Sequence, residues 1–88
     1  MKQFKDLEFV PHAAGMGGVM SRIQFDNGYG ASVVKSEYTY GGKDGLYELA
    51  VLDTEGEIDY DNSVAEGDVH GYLTEDDVTE LLKRIQLL

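Results

Sequence analysis

Carboxylate side chains are concentrated in one stretch of this sequence. From Asp53 to Glu80 there are eleven Asp or Glu residues and no Lys or Arg, and the whole chain has a net charge of −10. Clustered carboxylates can bind a cation or attract a basic partner protein. Alternatively, their only role is to keep one face of a protein solvated. The partner and the solvation interpretations both stay open.

A calcium-binding loop of the EF-hand type does not fit this stretch. Such a loop needs oxygen ligands at positions 1, 3 and 5, glycine at position 6 and glutamate at position 12. A loop that starts at Asp59 has Val64 at the glycine position and His70 at the glutamate position. A loop that starts at Asp53 has Ile58 and Val64 at those positions. We therefore predict no metal site.

The remaining residue types also offer little for catalysis. His12 and His70 are the only histidines and there is no cysteine, so a zinc site would need carboxylates beside both histidines. The serines lack the G-x-S-x-G context of a nucleophile. The Gly15–Gly18 segment lacks the helix start that a phosphate-binding loop requires. We predict a protein that is not an enzyme and has no cofactor.

The partner interpretation becomes specific where tyrosines stand among the acids. Binding hot spots are centred on buried aromatic side chains, and surrounding charges raise the association rate. We therefore predict a convex acidic patch with an exposed tyrosine, which binds a basic surface of another protein. The predicted partner-binding residues are Glu55, Glu57, Asp59, Tyr60, Asp61, Asp68 and Tyr72. Direct nucleic-acid binding is disfavoured because it needs clustered Lys and Arg.

Length and composition predict one small domain over residues 1–88. The chain is 42% hydrophobic and contains six tyrosines and three phenylalanines, which argues against disorder of the whole chain. No apolar run approaches the roughly 18–20 residues of a membrane span. The first residues, Met1–Asp6, lack the hydrophobic region of a signal peptide. Together with the lack of cysteine, this favours a cytoplasmic protein.

A β-hairpin is predicted over Val19–Glu37. Asn27 and Gly28 at its tip are the preferred pair for a two-residue type I′ turn, in which both residues have positive φ. A two-residue loop pairs Phe25 with Gly30 and fixes the register of both arms.

This register assigns each hairpin face to the core or to solvent, because a slip of one residue would exchange the two faces. The predicted core side carries Val19, Ile23, Phe25 and Val34. The predicted outer side carries Met20, Arg22, Gln24, Val33 and Lys35.

The other extended segments are read from apolar runs and turn residues. Phe4–Val10 alternates loosely and predicts a short strand or an extended arm. Leu46–Leu52 is the most apolar stretch and predicts a central strand. Asp53–Gly56 predicts a turn, Glu57–Tyr60 a short edge strand, and Asp61–Gly71 an irregular segment.

A helix is predicted from about Glu75 to Leu87. Thr74 is a good N-cap, and Asp77 stands at the third position of an approximate capping box. One apolar stripe recurs at helical spacing and consists of Val78, Leu81, Leu82 and Ile85. The predicted fold is therefore α+β: an antiparallel β-meander of about four strands with one C-terminal α-helix packed on one face.

Four stretches, taken together, carry a resemblance to a known class of proteins. They are Phe4–Phe9, Phe25–Val34, Tyr47–Leu52 and Gly71–Val78. In order and spacing they resemble small acidic proteins encoded by tailed bacteriophages and prophages, which usually have no assigned function. The resemblance implies a viral accessory protein that works in the cytoplasm of a host bacterial cell, and it transfers no active site.

Three functions stay open at this point. The first is a non-catalytic accessory protein that binds a host protein, such as a defence or nucleic-acid enzyme, through its acidic surface. The second is a binder of a small ligand such as a nucleotide signal, although Arg and Lys to hold phosphate are scarce. The third is a structural or assembly component of the virion, which would be a homo-oligomer.

Overall fold

The computed structural model describes residues 1–11, 17–36, 39, 42–59, 64 and 70–88. Within these residues the strands are β1 Val10–Pro11, β2 Val19–Gln24, β3 Gly30–Lys35, β4 Tyr47–Leu52 and β5 His70–Leu73, and the helix is α1 Glu75–Gln86. Two short 3₁₀ helices cover Phe4–Asp6 and Gly42–Asp44. The five strands form one antiparallel meander in chain order, and α1 packs against β3, β4 and β5. This confirms the α+β prediction, with five strands instead of about four.

The core lies between α1 and one face of the sheet. The largest fully buried side chains of β3 and β4 are Val33, Leu49 and Val51. They share the core cluster with the helix residues Val78, Leu81, Leu82 and Ile85. The predicted apolar stripe of the helix is therefore confirmed, and its burial provides most of the contact that holds α1 to the sheet.

The N-terminus of α1 is closed by a reciprocal capping box. The Thr74 hydroxyl oxygen accepts a hydrogen bond from the Asp77 N–H at 3.1 Å, and an Asp77 carboxylate oxygen accepts one from the Thr74 N–H at 3.0 Å. Aspartate thus completes the box although its side chain is shorter than the usual glutamate. The predicted cap is confirmed.

The predicted register of the first hairpin is wrong by one residue. The strands pair Gln24 with Gly30 and Ser21 with Val33, and the bond from the Phe25 N–H to the Tyr29 carbonyl leaves a loop of three residues, 26–28, instead of two. Val33 is consequently fully buried, whereas Val34 lies on the outer side and is half-buried. The core and solvent assignments predicted for these two valines are therefore exchanged.

Lys35 also lies on the core side of the sheet, contrary to the prediction. Its Nζ lies 4.9 Å from the centre of the Tyr47 ring, where the cation is attracted by the ring face. On the first arm of the hairpin the prediction is confirmed for Ile23, which packs against the core, and for Phe25 just after β2, which is buried.

The hairpin turn is not type I′. The Gly28 N–H donates to the Phe25 carbonyl at 2.9 Å and the Phe25 N–H donates to the Tyr29 carbonyl at 2.7 Å. Gly28 has φ +93°, whereas Asn27 has a negative φ. This is the three-residue connection in which a type I turn is followed by a glycine with positive φ.

The side chain of Asn27 explains why this turn is stable. Its Oδ1 accepts a hydrogen bond from the Tyr29 N–H at 3.1 Å, and its Nδ2 donates to the Ile85 carbonyl at 2.9 Å. Ile85 is in the last turn of α1, where carbonyl groups lack the usual N–H partner four residues on, and its carbonyl also accepts a hydrogen bond from the Leu88 N–H at 3.2 Å. Asn27 therefore acts as a C-terminal cap for a helix that is distant in sequence.

The N-terminal segment was predicted to be a short strand or an extended arm, and its first part is neither. Phe4–Asp6 forms a 3₁₀ helix, and among the described residues 1–11 the pairing with β2 involves Val10 and Pro11 alone. The Phe4 N–H instead donates to the Thr79 hydroxyl on α1 at 3.0 Å. The Phe4 and Phe9 rings lie 5.0 Å and 5.7 Å from the Tyr47 ring, so this segment folds back to close one end of the core.

The segments after β3 match the predictions unevenly. The predicted central strand is confirmed as β4, whereas the predicted edge strand Glu57–Tyr60 is reduced to one bridge between Ile58 and Leu52 within the described residues. β5 begins at His70, inside the segment predicted to be irregular. Three parts of the predictions lie outside the described residues: Glu37, which ends the predicted hairpin, Tyr60, and the first half of the Gly15–Gly18 segment.

Truncation of one helix leucine tests the packing of α1. Leu82 has no exposed surface, so Leu82→Ala should lower the free energy of unfolding by about 2–5 kcal/mol. Leu87 is 72% exposed, and Leu87→Ala should change the free energy of unfolding by less than about 0.5 kcal/mol. Urea unfolding monitored by circular dichroism measures both values. Equal losses for the two variants would contradict the packing described.

Acid titration tests the capping box. Hydrogen bonds from Thr74, first from its backbone N–H and then from its side chain, hold the pKa of Asp77 below its ordinary value. These bonds stabilise the folded state at pH values above the unfolded-state pKa of about 3.9. The stabilisation is lost as the pH falls through the lower folded-state pKa. Asp77→Asn should therefore make the urea midpoint less sensitive to acid. Asp76→Asn, which removes a carboxylate of the same turn, should keep the acid sensitivity of the wild type.

Candidate functional site

A rigid turn after β4 presents two of the predicted partner-binding residues. The Gly56 N–H donates to the Asp53 carbonyl at 3.0 Å and the Asp53 N–H donates to the Glu57 carbonyl at 2.7 Å, so the turn repeats the geometry of the first hairpin. The Asp53 carboxylate oxygen Oδ1 also accepts hydrogen bonds from the Glu55 and Glu57 N–H groups at 2.9 and 3.0 Å. Asp53 thus stabilises the turn, while the side chains of Glu55 and Glu57 are exposed.

Two contacts hold this turn against the sheet. A Cβ placed on Gly28 would lie 3.0 Å from Cγ2 of Thr54, so the tips of the two turns pack directly on each other. From the outer face of the sheet, Nη2 of Arg22 donates to the Gly56 carbonyl at 2.6 Å. The position of the acidic turn is therefore fixed by both the first hairpin and β2.

Ile58 follows this turn and was not singled out from the sequence. It is 40% exposed although it bridges to Leu52, and its chain neighbours are Glu57 and Asp59. An isoleucine between two acids in a polar run is the signal that could have identified it. It adds an exposed apolar side chain to the acidic turn.

Tyr72 lies on β5, at the edge of the sheet, with 61% of its surface exposed. β5 pairs His70 with Leu49 and Leu73 with Tyr47, so two residues of β5 stand opposite one residue of β4. In this bulge Tyr72 has φ +57°, which is rare for a residue other than glycine and costs roughly 1–2 kcal/mol. The strained backbone directs a large aromatic side chain into solvent.

Ile58 and Tyr72 belong to the same edge of the sheet. Ile58 bridges to Leu52 and Leu73 pairs with Tyr47, and these two partners are five residues apart on β4. With a rise of about 3.4 Å per residue, the separation along β4 is about 17 Å. One interface patch of about 800 Å² covers such a distance.

We call this surface the acidic edge, and its described members are Glu55, Glu57, Ile58, Asp59 and Tyr72. The first four residues are neighbours around the turn after β4, and Tyr72 stands apart from them on β5. Tyr60, Asp61 and Asp68 lie outside the described residues. Their membership in the same surface stays a prediction.

Two shallow clefts lie on the outer face of the sheet. Their volumes are about 220 Å³ and about 440 Å³, and Arg22, Leu52 and Gly56 line both. The smaller cleft is below the roughly 300 Å³ of a typical ligand pocket, and Arg22, the one basic residue in either lining, donates to the backbone of Gly56. These clefts give little support to a nucleotide site.

The described residues offer no metal centre. No group of three His, Cys, Asp or Glu side chains in this part of the chain could hold an ion. His70 is partly buried on β5 and borders a cleft with Asp77 and Glu80, while His12 lies outside the described residues. None of the helices formed by the described residues has the length and apolarity needed to span a bilayer.

No protein-family model, curated protein or solved structure matches this chain. The acidic edge combines exposed apolar side chains with carboxylates around a hydrogen-bonded turn.

Comparison of two glycines tests the contact between the turns. Gly28 and Gly45 both have positive φ, but a Cβ on Gly45 would meet no atom within 4 Å. Gly28→Ala and Gly45→Ala should share a backbone cost of about 1–2 kcal/mol. Gly28→Ala should lower the free energy of unfolding by about 1 kcal/mol more than Gly45→Ala, because its methyl group presses on Thr54. Thermal unfolding measures the difference, and equal losses would show that the two turns do not pack tightly.

Proposed function

We propose that this chain is a non-catalytic accessory protein of a tailed bacteriophage or prophage, and that it binds a basic surface of a host protein through the acidic edge. The observation that supports this most is the exposure of Ile58 and Tyr72 along one edge of the sheet, beside Glu55, Glu57 and Asp59. The resemblance of four stretches to small acidic phage proteins supports a viral origin and implies action in the cytoplasm of the host.

The two kinds of side chain have different tasks in this proposal. Ile58 and Tyr72 supply the apolar area whose burial holds the complex together, so they govern mainly the dissociation rate. Glu55 and Glu57 attract a basic surface from a distance, so they govern mainly the association rate. A fixed turn and a fixed strand also reduce the conformational entropy lost on binding.

The charge of the chain defines the class of partner. Proteins that bind nucleic acids expose clustered Lys and Arg for the phosphate backbone, and a chain of net charge −10 is attracted to the same surface. Occupation of that surface would exclude the nucleic acid. The proposed target is therefore a host defence or nucleic-acid enzyme, which the protein inhibits by competition.

The same charge argues against self-association through the acidic edge. Two chains of net charge −10 repel each other, and the bulge at Tyr72 interrupts the row of backbone groups that a second β5 would need. A virion component built by pairing of these edges is thus a weaker candidate than a monomer that binds a basic protein.

Charge reversal tests the proposed surface. The partner is recovered from bacterial lysate on the immobilised chain, eluted with salt, purified, and its association rate is measured by surface plasmon resonance. The double variant Glu55→Lys, Glu57→Lys should associate roughly tenfold more slowly or worse. The matched control Glu8→Lys, Asp44→Lys makes the same change in net charge at exposed positions outside the acidic edge, and its association rate should fall much less.

Salt and stability complete this test. Association should slow as salt shortens the Debye length from about 10 Å at 0.1 M to about 3 Å at 1 M. Both double variants should keep the free energy of unfolding within about 1 kcal/mol of the wild type. If the association rate falls equally for the two double variants, the interaction depends on net charge alone and not on the acidic edge. Unchanged association of the Glu55, Glu57 variant would remove the proposal.

A further inference from the structure

The tip of the first hairpin contains an asparagine followed by glycine, a pair with its own chemistry. The backbone nitrogen of Gly28 can attack Cγ of Asn27, because glycine has no side chain to hinder the approach. The new N–Cγ bond closes a succinimide ring, the Cγ–Nδ2 bond breaks, and ammonia leaves. Water then opens the ring at either carbonyl and yields aspartate or isoaspartate, with no oxidant or other reactant.

The folded chain restrains every group that takes part in this reaction. The Gly28 N–H, which must lose its proton, donates to the Phe25 carbonyl at 2.9 Å. The leaving nitrogen Nδ2 of Asn27 donates to the Ile85 carbonyl at 2.9 Å, and Oδ1 accepts from the Tyr29 N–H at 3.1 Å.

The turn itself is a further restraint. The succinimide ring contains the Cα–C bond of Asn27, so ring closure fixes rotation about that bond at an angle that differs from the one in a type I turn. The ring can therefore form only after the turn has opened.

We propose that Asn27 is a deamidation site whose reaction is controlled by the contact between the hairpin tip and α1. While the Asn27 amide is bonded to Ile85, the reaction is suppressed. When this end of the molecule opens locally, Asn27 and Gly28 behave as they would in an unfolded peptide. The rate of modification then reports how often the contact opens.

The product cannot restore the contact. Aspartate at position 27 has no N–H to donate to the Ile85 carbonyl, and its negative charge lies at the negative end of the helix dipole. Isoaspartate also lengthens the turn by one backbone carbon. Since Gly28 packs on Thr54, either product disturbs the acidic turn as well. The modification is a one-way change that starts from a reversible opening.

Mass spectrometry of the full chain tests the suppression. The chain and a synthetic peptide of residues 23–31 are incubated at neutral pH and physiological temperature, and replacement of NH₂ by OH at Asn27 is followed after digestion. The folded chain should react at least roughly tenfold more slowly than the peptide. Equal rates would overturn the proposal.

Two helix variants test the control by opening. Leu82→Ala should speed deamidation by the factor by which it raises the open fraction, as measured by amide exchange at Asn27 and Gly28. Leu87→Ala, which alters an exposed side chain directly after the helix, should react at the wild-type rate. If Leu82→Ala does not fold, its rate should equal that of the peptide. A slow reaction in an unfolded or more open variant would overturn the proposal.

A direct substitution tests the effect of the product. Asn27→Asp should have a lower melting temperature than the wild type at neutral pH. The deficit should shrink as the pH falls below about 4, where the new carboxyl group is protonated and its repulsion by the helix end disappears. A variant as stable as the wild type at neutral pH would show that deamidation does not disrupt the contact.

Discussion

Burial of one face of α1 against β3 and β4 is the interaction on which the rest of this structure depends. A helix of twelve residues is marginal by itself in water, so its stability comes from the packing of its apolar stripe. The sheet needs the same contact to cover Val33 and Leu49. The N-terminal segment in turn docks on α1 through the bond from Phe4 to Thr79, and Asn27 caps its far end. Loss of the helix would therefore expose one face of the sheet and release both segments.

The end of the molecule that holds the acidic turn depends on this helix through a short chain of contacts. Asn27 is bonded to Ile85, its neighbour Gly28 packs on Thr54, and Asp53 organises the backbone on which Glu55 and Thr54 lie. None of these contacts is strong by itself, since single hydrogen bonds add about 1 kcal/mol. Together they link a surface turn to the packed core, so the carboxylates have a defined position despite their exposure.

Local signals in the sequence were enough to predict α1 but not the hairpin register. The cap at Thr74 and the apolar stripe are encoded within one segment, and the structure confirms both. The register depends on Asn27, whose side chain bonds a carbonyl 58 residues away, and no local pattern contains that partner. β5 was missed for a similar reason, because its bulge interrupts the alternation that marks a strand. Ile58 was overlooked because its exposure depends on tertiary structure.

The composition of the acidic edge argues for more than solvation. Carboxylates at any exposed position would keep the chain soluble, and a solvating surface gains nothing from Ile58 or from Tyr72. Tyr72 has a left-handed backbone that glycine would adopt without strain, so its presence costs roughly 1–2 kcal/mol in a domain of marginal stability. Strained residues persist where the surrounding structure holds them and are concentrated at functional sites. A strained, exposed tyrosine on the same sheet edge as an exposed isoleucine therefore fits the proposed contact with a partner better than it fits a purely solvating surface.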